Sequence, residues 1–314
     1  MGLALPASPG LLEDLEAPPL SLAQLFWLRF RRHRLAVAGM IVLLGLVGYA
    51  AVGGAFFTES YANRTETALR LQSPSSEHAF GTDTVGRDIL ARTVYGGQIS
   101  LIIGLLAVAV ELGIGVAVGA LAGYYGKFLD SLLMRITEAS LNIPALFLLL
   151  IMAKAFGGRI PELQLLGRSF SGSVIVIILI IGLTSWMYTA RIVRAEFLSL
   201  KERDFVLAAR ATGTRTRSII FQHILPNSAA PIVVSATLGV GNAILTESYI
   251  SFLGLGVQPP TATWGNMLEG AHGYIEQAPW LWIFPGGLIL LTVLSINFIG
   301  DGLRDALDPR SRTK

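Results

Sequence analysis

The sequence predicts an all-α integral membrane protein with six transmembrane helices. Apolar residues make up 53% of the 314 residues and charged residues only 14%, and the mean hydropathy is +0.61. Soluble domains carry about 25% charged residues, so this composition places the chain in a membrane. A helix that spans a bilayer needs about 20 consecutive apolar residues. Six runs approach or exceed this length, at about 35–57, 101–124, 132–153, 174–190, 229–253 and 281–299.

The N-terminal region predicts a tail followed by a helix on the membrane surface. Residues 1–20 show no clear period, whereas residues 21–34 mix large apolar residues with four arginines. That mixture is typical of a helix lying on the inner leaflet. We therefore expect a cytosolic tail and interfacial helix up to residue 34, a first span over 35–57 and an outer loop over 58–98. A signal peptide is the alternative, but the first apolar run is too long and too far from the N-terminus.

The other five spans form a predicted permeation core over residues 99–300, followed by a cytosolic C-terminal tail over residues 301–314. Pro144 predicts a kink in the third span, because proline has no amide proton to donate. In the second span, glycines that recur every four residues predict close packing against a neighbouring helix. These glycines are Gly115, Gly119 and Gly123.

The positions of the charged residues indicate the orientation in the membrane, and the cysteine content excludes several kinds of site. On this topology, 17 of the 24 Lys and Arg residues lie in inner segments and seven in outer ones. The positive-inside rule therefore predicts cytosolic N- and C-termini. The basic residues are not gathered into one patch with interleaved aromatics, so no nucleic-acid partner is indicated. The chain has no cysteine, which excludes disulfides, thiolate metal sites and a cysteine nucleophile.

Three polar residues inside the spans are candidates for the translocation path. Glu111 lies near the middle of the second span, and Glu247 lies toward the outer end of the fifth, with Asn242 a little over one turn before it. A carboxylate in lipid is costly, so each should face the bundle or a wet cavity. The alternative is a hydrogen bond between spans. The sequence favours neither role for Glu111, and it favours the path for Glu247 with Asn242.

One long polar segment, residues 191–227, separates two strongly apolar runs. It predicts a helix that begins with Asp204 as N-cap and ends at Gly213, a residue suited to the left-handed C′ position. Thr214 is then expected to cap a second helix, which Pro226 prevents from continuing. The first helix carries small residues at helical spacing on one face, namely Phe205, Ala208, Ala209 and Thr212.

Such a hairpin cannot lie in hydrocarbon, because it carries seven basic residues. It therefore lies in water or inside another protein, and a plain cytosolic loop is the simplest interpretation. The basic residues are Arg191, Arg194, Lys201, Arg203, Arg210, Arg215 and Arg217.

The order of small residues, glycine and proline in this hairpin resembles the EAA signature of permease subunits of ATP-binding-cassette (ABC) importers. In that family the helix between the alanines and the glycine is the coupling helix, which docks into a groove on the ATPase subunit. Leu207 departs from the pattern, since a glutamate often stands there, and His223 stands where an isoleucine often does. The resemblance assigns ATPase coupling to Asp204, Phe205, Ala208, Ala209, Arg210, Thr212, Gly213 and Pro226.

Other motifs resemble one branch of that family. The sequence FGTDTVGRDILAR over 80–92 resembles the segment before the second span in permeases of dipeptide, oligopeptide and nickel importers. Residues 121–126, 251–268 and 297–310 resemble the six-span second permease subunit of these importers. The chain is thereby identified as a member of the family over residues 25–310.

The resemblance implies the type I fold of ABC importer permeases in a bacterial-type plasma (inner) membrane. It implies a homologous permease as heterodimer partner, two ABC ATPase subunits and an extracytoplasmic solute-binding protein. ATP and magnesium belong to the ATPases, since this sequence lacks the GxxxxGK[ST] motif. We therefore expect neither a cofactor nor a metal nor enzymatic activity in this chain. Peptides are the favoured cargo, and nickel chelates or other small solutes stay open.

The first outer loop carries a second candidate site. Asp83, Arg87 and Asp88 are predicted to form an ion-pair cluster that shapes the outer vestibule. Metal binding by the two aspartates is the alternative, although no second set of ligands is visible.

Two other functions compete with the importer interpretation. A secondary transporter, with the polar hairpin as a plain loop, would normally show internal repeats and helices broken at mid-membrane, which the sequence does not show. An intramembrane enzyme would need catalytic groups at one depth, but the four histidines are scattered among loops and termini.

Overall fold

A computed structural model shows the chain as a bundle of long helices. The structure describes residues 21–156, 159, 161, 163–165 and 168–308. The predicted tail over residues 1–20 and the last six residues of the predicted C-terminal tail lie outside the described residues.

Two consecutive helices open the described chain. α1 (Leu22–Arg32) is followed after one residue by α2 (Arg34–Phe56), the first predicted span. His33 joins them, because its Nδ1 accepts the Ala36 N–H at 3.1 Å and caps α2. Phe30 of α1 is buried against the end of the last helix. The placement of α1 on the inner leaflet stays a prediction.

The loop after α2 is shorter than predicted. It contains a helical turn (Glu59–Ala62) and a 3₁₀ turn (Thr67–Leu69), and α3 (Ile89–Tyr125) begins well before residue 101. Asp88 caps this helix by accepting the Ala91 N–H at 2.8 Å. The first turns of α3 are buried in protein, so they need no long apolar run of their own.

The glycines of α3 pack against α6 (Gly172–Leu200) as predicted. A Cβ atom at any of the three would lie closer than 3 Å to α6, so only glycine permits this approach. The contacts would be Gly115 to Thr189 at 2.8 Å, Gly119 to the Ala190 carbonyl at 2.5 Å and Gly123 to the Phe197 Cβ at 2.5 Å.

The third span is broken into two helices. α4 (Lys127–Leu141) and α5 (Ala145–Phe156) are bent by 83° relative to one another. Pro144 lies at the break, so the predicted kink is confirmed and is much sharper than a bend within one helix. The described residues contain five helices long and apolar enough to cross a membrane, or six spans when this pair counts as one.

A short antiparallel pair, β1 (Leu163–Leu165) and β2 (Arg168–Phe170), precedes α6 and was not predicted. α6 continues ten residues beyond the predicted span, to Leu200, so the hairpin starts later than residue 191. This extension is amphipathic: Val193 and Phe197 are buried, Arg191 is exposed, and Arg194 and Glu196 are half-buried. The apolar run ends before Arg191, but the helix continues past this residue.

The remaining elements complete the bundle. The hairpin holds α7 (Asp204–Ala211), a short turn (Thr216–Ser218), a π-helix (Ile219–Ile224) and a further turn (Leu225–Asn227). It leads into α8 (Ala229–Phe252), α9 (Trp264–Glu269), a 3₁₀ turn (His272–Tyr274) and α10 (Trp280–Leu307). α10 therefore includes the start of the predicted C-terminal tail. The main core lies where α3, α5, α6 and α8 meet.

Candidate functional site

The hairpin helix α7 is anchored by one narrow face. Val206 is fully buried and Ala209 is 9% exposed, and both pack against Phe197 of α6 and the π-helix residues Ile219 and Ile224. The four residues predicted to share a face are therefore divided. Ala209 points inward, whereas Phe205, Ala208 and Thr212 are exposed. The sequence pattern missed the role of Val206, whose larger side chain buries more apolar surface.

Gly213 ends α7 as predicted. Its φ is +77°, in the left-handed region that favours glycine. The Gly213 N–H donates to the Arg210 carbonyl at 3.0 Å, and the Thr214 N–H donates to the Ala209 carbonyl at 3.0 Å. These two bonds form a Schellman motif. The stop after α7 is thus built into the local backbone.

Two predicted caps are wrong. Arg203 is the N-cap of α7, and no side chain forms a capping bond there. Asp204 is the first residue of the helix. Asp204 still places a negative charge in the first turn, where it complements the helix dipole. Thr214 caps nothing, since the next turn has Arg215 as N-cap. The threonine hydroxyl instead lies 3.4 Å from the hydroxyl of Thr212.

Pro226 does not end the second helix of the hairpin. The chain passes through the π-helix into the turn Leu225–Asn227, where proline occupies the first positions of a new helical turn. The N–H groups at the start of a helix have no partner within it, so the missing amide proton of proline costs little there. A change of helix type therefore accommodates the proline, which the sequence pattern alone did not indicate.

Exposed apolar side chains lie on more than one side of α7, among basic ones. Phe205 is 41% exposed and Leu207 is 43% exposed. The exposed basic residues of the hairpin around it are Arg203, Arg210, Arg215 and Arg217.

Three contacts join this end of the bundle to the spans. The Arg210 guanidinium lies 5.5 Å from the ring centroid of Tyr124, near the end of α3. Lys201 donates to the Gly123 carbonyl at 3.1 Å. Arg194 of α6 forms a two-bond ion pair with Asp130 of α4, with Nη2 to Oδ2 at 2.7 Å. Sequence reasoning missed this pair, because its members are far apart in the chain and no spacing rule connects them.

A cavity of about 790 Å³ lies between α3, α5, α6, α8 and α10. It runs from Glu111 and Asn242 toward Glu196, near the end of α6 that leads into the hairpin, and toward Arg304, near the end of α10. Its size falls in the range of about 300–1,000 Å³ usual for small-molecule sites.

The three predicted path residues occupy different places. Glu111 and Asn242 line the cavity. Glu111 is 7% exposed, and its Oε1 accepts the Thr189 hydroxyl proton at 2.7 Å, with the Ser235 hydroxyl 3.2 Å from that of Thr189. Glu111 therefore forms a bond between spans and also lines the cavity, and its place in the translocation path stays a prediction.

Glu247 does not line this cavity. Its side chain is fully buried, and its Oε1 accepts hydroxyl protons from Ser251 and Thr263, each at 2.7 Å. Its Oε2 has no hydrogen-bond partner among the described residues. Glu247 thus fastens the loop after α8 onto that helix. Asn242 and Glu247 are five residues apart, so they point in different directions from α8.

The predicted cluster of the first loop separates into two pairs. Asp83 accepts from Arg87 Nε at 2.6 Å, with Arg92 Nε at 3.9 Å. Asp88 pairs instead with His78, whose Nδ1 lies 2.7 Å from Oδ2. In the described part of the chain, no group of three or more metal-ligating side chains is arranged to hold an ion.

Comparison with known proteins decides the family. Residues 115–313, close to two thirds of the chain, match the family described as "binding-protein-dependent transport system inner membrane component". The chain belongs to this family. Residues 21–74 of this permease also match the N-terminal transmembrane domain of oligopeptide transport permease C. Membership makes the chain the membrane translocation component of an ABC importer. This component is not an enzyme.

Relatives of this permease are similar over almost their whole length. It is 43% identical to the dipeptide transport system permease protein DppC of Alkalihalophilus pseudofirmus, over 91% of this chain and 89% of the relative. It is 40% identical to the oligopeptide transport system permease protein OppC of Haemophilus influenzae, over 96% and 93%.

A solved structure supports the fold. The permease superposes on a chain of the inward-facing MetNI methionine ABC transporter with a TM-score of 0.54 and 21% identity, covering 70% of this chain and 98% of the other. At that identity the likeness concerns the fold alone. It is the type I fold of ABC importer permeases, as the sequence predicts.

Proposed function

We propose that this permease forms half of the path through which an ATP-driven importer carries dipeptides or oligopeptides. Its relatives include proteins named as dipeptide and oligopeptide permeases, which supports this cargo over a nickel chelate or a sugar. The other half of the path belongs to a homologous permease, so the working unit is a heterodimer. A binding protein outside the membrane delivers the peptide. The permease holds no cofactor of its own, and two ATPase subunits bind ATP and magnesium.

The observation that carries this proposal is the outward face of α7. Leu207 and Ala208 are exposed on the side of α7 turned away from the buried Val206 and Ala209, which fix the helix to α6. Phe205 is exposed at the flank of the same helix. We infer that the exposed side of α7 docks on the ATPase. Asp204, Arg210, Thr212 and Gly213 set the length and position of α7. Movement of the ATPase then reaches α3 through the Arg210–Tyr124 contact and α6 through Val206 and Ala209.

The cavity is the proposed path within this chain. It adjoins the end of α6 that leads into the hairpin, so motion at α7 can change the walls that the substrate meets. Import by alternating access requires two arrangements of the bundle that are close in free energy, between which ATP binding shifts the balance. With the positive charges inside, the hairpin and both termini face the cytosol. We keep Asp83, Arg87 and Asp88 as loop residues that shape the outer vestibule.

A cysteine at Ala211 tests the docking surface. Ala211 is exposed at the end of α7, and the native chain has no cysteine. The Ala211→Cys variant is expressed with its partner subunits, a short thiol crosslinker is added to the membranes, and the trapped protein is identified. We expect a nucleotide-binding subunit, with a yield that changes when ATP is added.

Ala68→Cys is the matched control, because Ala68 is exposed in the loop between α2 and α3 and should trap no ATPase. If the thiol introduced by Ala211→Cys reacts freely with soluble reagents yet traps no ATPase in any nucleotide state, the hairpin is a plain loop. A secondary transporter would then be the better interpretation.

A further inference from the structure

Glu111 presents a carboxylate to the cavity that no basic side chain neutralises. It is 7% exposed, and within residues 21–156 and 168–308 no lysine, arginine or histidine forms an ion pair with it. Its hydrogen bond from Thr189 comes from a neutral hydroxyl. A buried carboxylate with so little compensation favours a cation beside it.

The backbone of α8 lies close against this carboxylate. A Cβ at Gly239 would lie 3.4 Å from Glu111 Oε2 and 3.2 Å from Val108. Gly239 lines the same cavity as Glu111. Thr189 holds Oε1, and Oε2 lies beside Gly239 at the cavity wall. Oε2 is therefore the oxygen left for a donor that arrives through the cavity.

The other charged groups of the wall reinforce this preference. Besides Glu111, the charged residues lining the cavity are Glu196, Arg304 and Asp308, so acidic side chains outnumber basic ones by three to one. A cavity whose charged groups are mainly of one sign concentrates solutes of the opposite sign. The described walls therefore select for positive charge.

The uncharged wall suits the rest of a peptide. Asn242, Ser235 and Thr184 offer hydrogen-bonding groups for amides, and Leu149 and Val234 offer apolar surface for side chains. A short peptide has an ammonium group at its N-terminus, amides along its backbone and apolar side chains. The cavity supplies a complementary group for each.

We propose that Glu111 binds the free amino group of the cargo and that the cavity selects peptides with an uncapped, positively charged N-terminus over anionic solutes. This inference rests on the proposed function, because it assumes that cargo passes through this cavity. The contact is a charge-assisted hydrogen bond between ammonium and carboxylate, which is stronger than one between neutral groups.

Two thiol reagents of opposite charge test the preference without relying on transport. Asn242→Cys places one cysteine in the cavity of the complete transporter, in membrane vesicles of each orientation. We compare its rates of modification by a trimethylammonium-ethyl and by a sulfonatoethyl methanethiosulfonate. The cationic reagent should react faster, and Glu111→Gln should lower the ratio of the two rates by about tenfold. Glutamine keeps an acceptor for the Thr189 hydroxyl, so the local structure is retained.

Glu59→Gln is the control, since it removes the same charge from an exposed position outside the cavity and should leave the ratio unchanged. An unchanged ratio in Glu111→Gln would overturn the inference and leave the proposed path standing. If the thiol introduced by Asn242→Cys reacts with neither reagent in either orientation, the cavity is not open to water, and the proposed path itself fails.

Protection by peptides tests the amino group directly. In the Asn242→Cys variant, trialanine should slow the modification of the introduced thiol by a neutral reagent several-fold, and N-acetyl-trialanine should protect much less. When Glu111→Gln is added, this difference should disappear. Equal protection by both peptides in the variant that retains Glu111 would contradict recognition of the ammonium group.

Discussion

The loop between α8 and α10 and the hairpin between α6 and α8 are held in different ways. In the loop, Trp264 is fully buried, its Nε1 donates to the Thr93 carbonyl at 2.8 Å, and its N–H donates to the Ser100 hydroxyl at 3.2 Å. Thr263 is bound to Glu247 beneath it. In the hairpin, α7 buries only Val206 and Ala209 and has no side-chain cap.

This difference indicates that the loop and the hairpin have different roles. A loop with buried polar bonds and a large buried ring opens only at a high cost in free energy, whereas a helix with two buried residues shifts more easily. The loop therefore holds the ends of α3 and α8 together, and the hairpin presents a movable surface. Substitutions in the loop should reduce stability, and substitutions in the hairpin should reduce coupling in a folded protein.

The largest expected effect is that of Trp264→Ala. It removes a fully buried ring and its hydrogen bond, and truncation of a buried tryptophan costs about 3–5 kcal/mol. We expect a strong fall in abundance and in the thermal unfolding temperature of the purified transporter in detergent. Trp282→Ala is the control, because that ring is 42% exposed. Equal stability of the two variants would show that the loop is not the firmly held end.

Gly213→Val should have an intermediate effect on folding and a large one on coupling. Valine at φ +77° strains the backbone by about 1–3 kcal/mol, which displaces α7 without removing a core contact. We expect normal insertion in the membrane, continued ATP hydrolysis and loss of uptake.

Gly273→Val separates the strain from the added side chain. A Cβ has open space at both glycines, but only Gly213 has a positive φ. Gly273→Val should therefore transport normally. Normal uptake by Gly213→Val would contradict the coupling role of α7.

Arg210→Ala should have the smallest effect. It removes the contact with the Tyr124 ring, and an exposed cation–π contact contributes about 0.5–1 kcal/mol. We expect unchanged stability and a several-fold rise in ATP hydrolysed per peptide imported. Arg217→Ala, which removes an exposed charge of the same hairpin, serves as the comparison. If both variants lower coupling equally, general positive charge matters and the Tyr124 contact does not.

Some features of the hairpin and of the third span followed from local sequence, and the pairings between helices did not. Gly213 was predictable because a helix stop with positive φ depends on a few neighbouring residues. The kink at Pro144 was predictable because proline lacks the amide proton that a continuous helix uses. The Arg194–Asp130 pair and the Glu111–Thr189 bond join different helices, so no spacing along the chain could indicate them.

The sequence by itself determined the number and order of the spans, because bilayer thickness sets the length of an apolar run. It also determined the glycine face of α3 and the stop after α7, which depend on steric limits of single residues. Only the tertiary structure decided that α3 begins before its apolar run and that α6 ends beyond its own. It also decided how Pro226 is accommodated and which carboxylate faces the cavity. Glu111 and Glu247 are both glutamates in apolar stretches of the sequence. Their roles differ because other helices and loops bring different neighbours to each.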